Sequence, residues 1–475
     1  MSTLLDDYLS NKLLIEKLLR VEESFDIVER CLYVGGVEAT FIFVDGFVKD
    51  GEMQRIMQTL ISIKEPSAAR EVLHKLPYVE VDVTSDIDLI LRSVLSGQTV
   101  MLCESFGPVA ILIDARTYPA RSTGEPSTDK VMLGARDGFV ETLVMNTALI
   151  RRRIRDPALT MEHFDVGSSS RTDVVLCYLC GRADEKLINK LRSKLNSVRA
   201  DSLTLGVQGL CELMVGRGWL NPFPKMRTTE RPDTAAAQLM EGSIILLVDT
   251  CPQAMILPTS VFDFFGQTDD FCFPPLTGTY LRLVRTAILL LSVFFTPVWY
   301  LLIGWEGIPD ALRFLVPDDP GSLPIILQLL LVELAVDGLK IASMNTPDML
   351  SNSLSVIGAL ILGDFAVGVG WLCQDVILYM AFVSIAGFAQ QNAELGYAFK
   401  FIRMTSLVFV FLLGVWGLIP SVALAVLLLV TNRTVTGERH YLYPLVPFCH
   451  GALGRMLLRL PKKSNDRSVG KNEHR

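Results

Sequence analysis

The sequence is short of anything that announces an enzyme. It has no GxxxxGK[ST] phosphate loop, no HExxH pair and no GxSxG elbow, so nucleotide hydrolysis, zinc proteolysis and serine-hydrolase chemistry lack their usual seats. Positive charge is in deficit: 44 Lys and Arg stand against 51 Asp and Glu, and a net charge of −7 excludes nucleic-acid binding as the main role. Nine cysteines are scattered rather than grouped. Cys177 and Cys180 make one CxxC on a strand-like run, but a zinc site needs a second pair or nearby histidines. Cys211 and His163 do not stand at a fitting spacing, so the pair reads as reduced and buried. Met1–Ser10 is polar and acidic, without the basic and apolar regions of a secretory leader, and the domain that follows is expected to stay on the side of synthesis. No catalytic residue, cofactor site or metal site is expected.

What is present is a change of solvent near Thr286. Before it, charged and apolar residues alternate as in a soluble protein; after it, to about Val430, come long apolar runs with a few acids inside them. A mean hydropathy of +0.39 with 50% hydrophobic residues is too apolar for a purely soluble chain. The expected fold is an α/β soluble N-terminal region of two subdomains, followed by an α-helical transmembrane bundle. The divisions fall at 1–165, 166–281 with a Pro-rich connection, 282–430 in the membrane, and 431–475 as a basic tail. That tail holds nine Lys or Arg against three Asp or Glu, and is expected to end disordered after Lys462.

In the soluble part, Thr3–Glu23 has helical periodicity and Cys31–Val48 is strand-like, with Asp45-Gly46 as a turn signal. Thr84 and Ser85 can cap a helix to about Leu95. Thr99–Glu104 and Val109–Ala115 read as strands, as do Val174–Leu179, Ile244–Asp249 and Ala254–Leu257; Asp184–Val198 reads as a helix. No internal repeat stands out.

Five membrane segments are read, at about 286–305, 323–343, 354–372, 376–389 and 405–430, for four or five crossings. Four crossings with one re-entrant piece fit the basic tail best. Arg282 and Arg285 precede the first segment and acids follow it, which puts the N-terminal domain on the cytoplasmic side. Lys400 and Arg403 pull against an even count if their loop lies outside. Glu333 and Asp337 are four apart and Lys340 three further on, so they share a helical face; Asp364 sits among glycines. Acids at lipid depth cost several kcal/mol unless they face protein or water. Glu333, Asp337 and Asp364 are therefore the candidate cation path, with salt bridging, as of Asp337 to Lys340, the bland alternative. Asp375 can mark a helix end.

Two soluble motifs stand out. Gly134-Ala-Arg136-Asp-Gly-Phe139 leads past Glu141 into a helix ending at Arg151-Arg152-Arg153. Basic residues suit a helix C-terminus, and a dense basic cluster also suits a subunit or membrane-surface contact. Asn221-Pro-Phe-Pro224 and Thr229-Glu230-Arg231-Pro-Asp233 suit a rigid connection or a solvated loop. The contact candidates are Arg136, Glu141, Arg151, Arg152, Arg153, Glu230, Arg231 and Asp233.

Taken in order, these motifs resemble the A subunits of GerA-type spore germinant receptors. The matching residues are Gly138-Phe139 with Glu141, Asn146 and Arg151–Arg153; Pro222-Phe-Pro224; Thr229–Asp233; Glu241-Gly242 with Pro252 and Pro258; and Glu333 in its Leu-Leu-Val-Glu-Leu segment. The resemblance runs from about residue 30 to 450. It implies a protein of the spore inner membrane that acts in germination, homo-oligomeric and ring-shaped as an ion channel, beside other germination proteins and in a lipid bilayer. Ala135-Arg-Asp137 departs from the Pro-Arg/His-Glu usual in receptor subunits, and puts a direct response to nutrient in doubt.

Overall fold

The computed structural model describes residues 3–64, 68–117, 134–216, 220–266, 269–305, 307–345, 358, 366–388, 392–437, 441–446, 448–449, 454 and 458. Two five-stranded antiparallel sheets come first. In the first, helix α1 (Tyr8–Leu19) precedes strands β1 (Ile27–Val34) and β2 (Val37–Val44); α2 (Asp50–Ile61) and α3 (Ala69–Lys75) lead to β3 (Val81–Thr84); α4 (Ile87–Leu95) leads to β4 (Thr99–Cys103) and β5 (Ala110–Ile113). The second has α5 (Leu143–Arg153), β6 (Leu159–Val166), β7 (Thr172–Leu179), α6 (Glu185–Ser197), α7 (Gly206–Val215), β8 (Arg227–Thr229), α8 (Pro232–Met240), β9 (Ile244–Val248) and β10 (Ala254–Leu257).

The strand orders are β1-β2-β4-β5-β3 and β6-β7-β9-β10-β8, which are one topology used twice, with helices at matching places. The sequence, read as free of repeats, hides a structural one. The reason is physical: the order of strands depends on which apolar faces meet, not on residue identity. In each unit two helix pairs cover the two faces. Ile15 and Leu19 with Ile90 and Val94 cover one face of the first sheet, and Met53, Ile56 and Leu60 with Val72 cover the other. In the second, Leu149 and Leu239 pack on one face and Leu191 and Leu210 on the other. Central strands β4 and β9 are buried along their whole length, as their uninterrupted apolar runs require.

Several expected boundaries move. Helix α1 begins only at Tyr8, where the Asp7 side chain caps it by accepting from Ser10 N, and ends in left-handed Arg20. Cys31–Val48 is not one strand but part of the β1–β2 hairpin. Its turn is Gly35-Gly36, both at positive φ as the tight hairpin turn demands, and Asp45-Gly46 lies after β2. The cap of α4 is Asp86, one residue past the expected pair. A division at 165–166 would cut the β6–β7 hairpin, so the passage between sheets lies instead between β5 and α5.

Helices follow the sheets. The one-turn α9 (Asp269–Cys272) leads into α10 (Pro275–Ile303), then come α11 (Ile325–Asn345), α12 (Gln374–Phe388), α13 (Ala393–Leu413) and α14 (Leu418–Thr431). Helix α10 starts well before Thr286. At 29 residues it is about 43 Å long, more than the ~30 Å of a bilayer core. Along its first turns Asp270 of α9, fully buried, accepts from Arg282 and Arg285. Two stretches, Pro275–Ile303 and Ala393–Thr431, are long and apolar enough to cross a membrane. The second is not straight. Gly414, at φ 62°, breaks it, and Leu428 and Leu429 pack back beside Leu395 and Ile402. The expected run 405–430 is thus the end of one helix and the whole of the next. Segment 354–372 lies largely outside the described residues.

The chain after α14 returns to the second sheet unit. Asn432 Nδ2 donates to the Pro224 carbonyl, and Lys194 Nζ on α6 donates to the carbonyls of Met214 and Val435. Val435 is fully buried in that unit's core, and Tyr441 packs on Phe223. The beginning of the expected basic tail is therefore a strap across folded structure; the part after Lys462 lies outside the described residues.

Candidate functional site

The helices bury a cluster of charge. Helix α11 carries Glu333 and Asp337 one turn apart, and α13 carries Lys400 and Arg403 at matching spacing. Arg403 donates to Glu333 at 2.5 Å, Lys400 reaches Glu333 at 2.9 Å, and Lys400 also pairs with Asp337. Arg403 donates further to the Ser292 carbonyl of α10 at 3.2 Å, so three helices share the cluster. Glu333 and Arg403 are each 7% exposed, at the seam where α11 and α13 meet. The acids are thus neutralised one for one. Asp337 pairs with Lys400 across helices, while Lys340 lies 4.8 Å over the Tyr397 ring. Lys400 and Arg403 belong inside a helix rather than in a loop. Sequence reasoning missed their role, although two cations three residues apart in an apolar helix were a signal complementary to the acids.

Among the described residues, Arg403 Nε is buried without a hydrogen-bond partner, as are Ser406 Oγ on α13 and Thr296 Oγ1 on α10. Polar groups in that state carry a cost of about 1–3 kcal/mol each, so their retention calls for an explanation. Asp364 lies outside the described residues. Asp375 is in the first turn of α12, where an acid suits the helix dipole. Around the cluster the helices turn bulky apolar side chains outward, among them Leu334, Phe401, Phe411 and Ile419.

The soluble candidates divide sharply. Arg151 is wholly buried: its guanidinium forks onto Asp26 at 2.7 and 2.9 Å and donates to Ser24 Oγ and to the carbonyls of Asp156 and Leu159. It fastens the second sheet unit to the first, and cannot reach another subunit without leaving Asp26 buried and unpaired. Arg231 is likewise buried; it grips Asp233 and the Ala135 carbonyl. Arg153 forks onto Asp137 at 2.6 and 2.7 Å. Phe139 N donates to the Glu230 carbonyl, and the buried Asn146 side chain exchanges two hydrogen bonds with Val140. The two sequence motifs therefore meet, and brace one another inside the fold. Arg136, Glu141 and Arg152 are exposed, and Glu230 is buried. Cys177 and Cys180 are free thiols, and burial pushes the Cys177 thiol well up.

Comparison with known proteins follows this arrangement. The family model described as Bacillus/Clostridium GerA spore germination protein matches residues 14–469. Stage V sporulation protein AF of Bacillus subtilis (strain 168) is 34% identical over 445 residues, 92% of this chain and 90% of that protein. Spore germination protein KA of the same organism is 27% identical over 462 residues, 95% of this chain and 84% of that one. A solved structure, the N-terminal domain of the A subunit of the Bacillus megaterium spore germinant receptor GerK3, aligns with 54% of this chain and 96% of that one at 24% identity and a TM-score of 0.41. The chain belongs to the GerA family of spore germination proteins.

Proposed function

We propose that the chain is a multi-pass protein of the spore inner membrane that assembles with copies of itself into a cation-conducting channel and promotes germination by releasing monovalent cations. One observation carries this reading: a charge cluster with unsatisfied donors lies among helices whose outer faces are apolar. Ionisable groups among apolar helices are expensive, and mark ion routes by default. Repeated around a ring of subunits, Glu333 would present a ring of carboxylates that concentrates cations. In this reading Arg403 and Lys400 hold the acids shut in the resting state, and ions pass when those pairs open. Asp364 remains a further path candidate. Arg136, Glu141 and Arg152 are the surface left for a subunit or partner contact. An even number of membrane crossings is supported by the chain just after α14, which packs on the second sheet unit, the same unit that precedes α10 in the sequence.

The full pairing of Glu333 and Asp337 favours a second reading, a non-conducting scaffold that organises germination receptors or dipicolinate transport proteins. Purified protein in planar bilayers separates the two. The channel reading expects unitary cation-selective currents; their absence from correctly assembled protein leaves the scaffold.

A further inference from the structure

The β6–β7 hairpin places three metal-ligating side chains together. Register sets Asp165 directly opposite Asp173, and alternation puts His163, two residues before Asp165, on the same face. Further along that face Leu159, Met161 and Cys177 are buried by α5 and α8. At the hairpin end cover runs out, and the side chains of His163, Asp165 and Asp173 are 35%, 66% and 49% exposed. Among the described residues this is where three such groups converge, their ligand atoms within 4.8 Å of one another.

We propose that His163, Asp165 and Asp173 bind a divalent first-row transition-metal ion through one imidazole nitrogen and two carboxylate oxygens. His163 Nε2 lies 2.9 Å from Asp173 Oδ1 and 3.7 Å from Asp165 Oδ1. A metal with bonds of about 2.1 Å sets its ligand atoms about 3.0 Å apart in an octahedron and about 3.4 Å apart in a tetrahedron. Small side-chain rotations bring the three atoms onto one face of either polyhedron. A second observation points the same way. Like charges directly opposite on neighbouring strands destabilise a sheet, and Asp165 faces Asp173. A bound dication between the two carboxylates offsets both charges. The imidazole is steadied by Phe25 of the first sheet unit, ring centroids 5.6 Å apart.

The three side chains are open to solvent at the hairpin end, so three protein ligands leave coordination positions for water. One imidazole with two carboxylates suits Zn²⁺ or Mn²⁺, and the usual order of affinities puts Zn²⁺ ahead.

Mn²⁺ is the better probe, because nine free thiols in the chain would also take Zn²⁺. Titration of the full-length protein in detergent, followed by loss of the free Mn²⁺ electron paramagnetic resonance signal, is expected to give one saturable site per chain. His163→Gln and Asp173→Asn should each weaken it at least about tenfold, as loss of one of three ligands does. Both positions are exposed, and unchanged circular dichroism and elution volume establish that the variants are folded. A parent without saturable Mn²⁺ binding up to about 1 mM, or a folded double variant that binds as the parent does, overturns the site.

Discussion

Two of the buried arginine–acid pairs, one between the sheet units and one between the helices, differ in how completely they are satisfied. Between the sheet units, Arg151 uses its guanidinium on Asp26, Ser24 and two carbonyls. Between the helices, Arg403 holds Glu333 and the Ser292 carbonyl, and among the described residues its Nε and the Ser406 and Thr296 hydroxyls have no hydrogen-bond partner. A saturated pair is a fastener, and opening it gains nothing. An unsaturated one keeps a reason to rearrange, since an entering water would accept from the Arg403 Nε–H that the closed helices leave without an acceptor among the described residues. On the channel proposal, that contrast would separate structural charge from charge on the ion path better than burial does.

The largest effect is expected at the fastener. Arg151→Met leaves Asp26 buried alone, at a cost of about 3–5 kcal/mol. For domains of this size that lowers the melting temperature by roughly 10 °C. Differential scanning calorimetry of the full-length protein checks it, and a change under about 2 °C would erase the contrast. A smaller effect, of opposite kind, is expected in the helices. Thr296→Val removes an unpartnered hydroxyl, so melting should stay put or rise by the equivalent of about 1 kcal/mol, while bilayer conductance falls. The smallest stability effect is expected at Arg152, exposed beside buried Arg151. Arg152→Glu should shift stability by no more than about 0.5 kcal/mol yet reduce oligomer size by light scattering. An unchanged oligomer removes Arg152 from the contact.

Local features were legible where local forces decide them. The strand Ala254–Leu257 and the helix near 184–198 stand almost where the alternation and periodicity put them, and Glu333 and Asp337 share a helix as their spacing requires. What could not be read depends on distance along the chain. Glu333 meets Arg403 across 70 residues, and Arg151 meets Asp26 across 125. The reuse of one strand order rests on pairings of the same long range. The start of α10 read late because Arg282 and Arg285 look like a cytoplasmic flank until both are seen to pair with the buried Asp270. The break at Gly414 was hidden for another reason: an apolar run carries no polar residue to mark a turn buried among helices.

The central claim is that Glu333 is more than half of a salt bridge. Exchanging the pair tests it most directly, by recording planar-bilayer conductance and cation selectivity for Glu333→Gln, Glu333→Arg and the double variant Glu333→Arg/Arg403→Glu. The account predicts that Glu333→Gln lowers conductance and that Glu333→Arg nearly abolishes it. It also predicts that the exchanged pair, though folded and assembled, does not regain the parent's selectivity, because the position of the carboxylate matters. Parental conductance and selectivity in the exchanged pair would contradict it, and would make the cluster a structural lock.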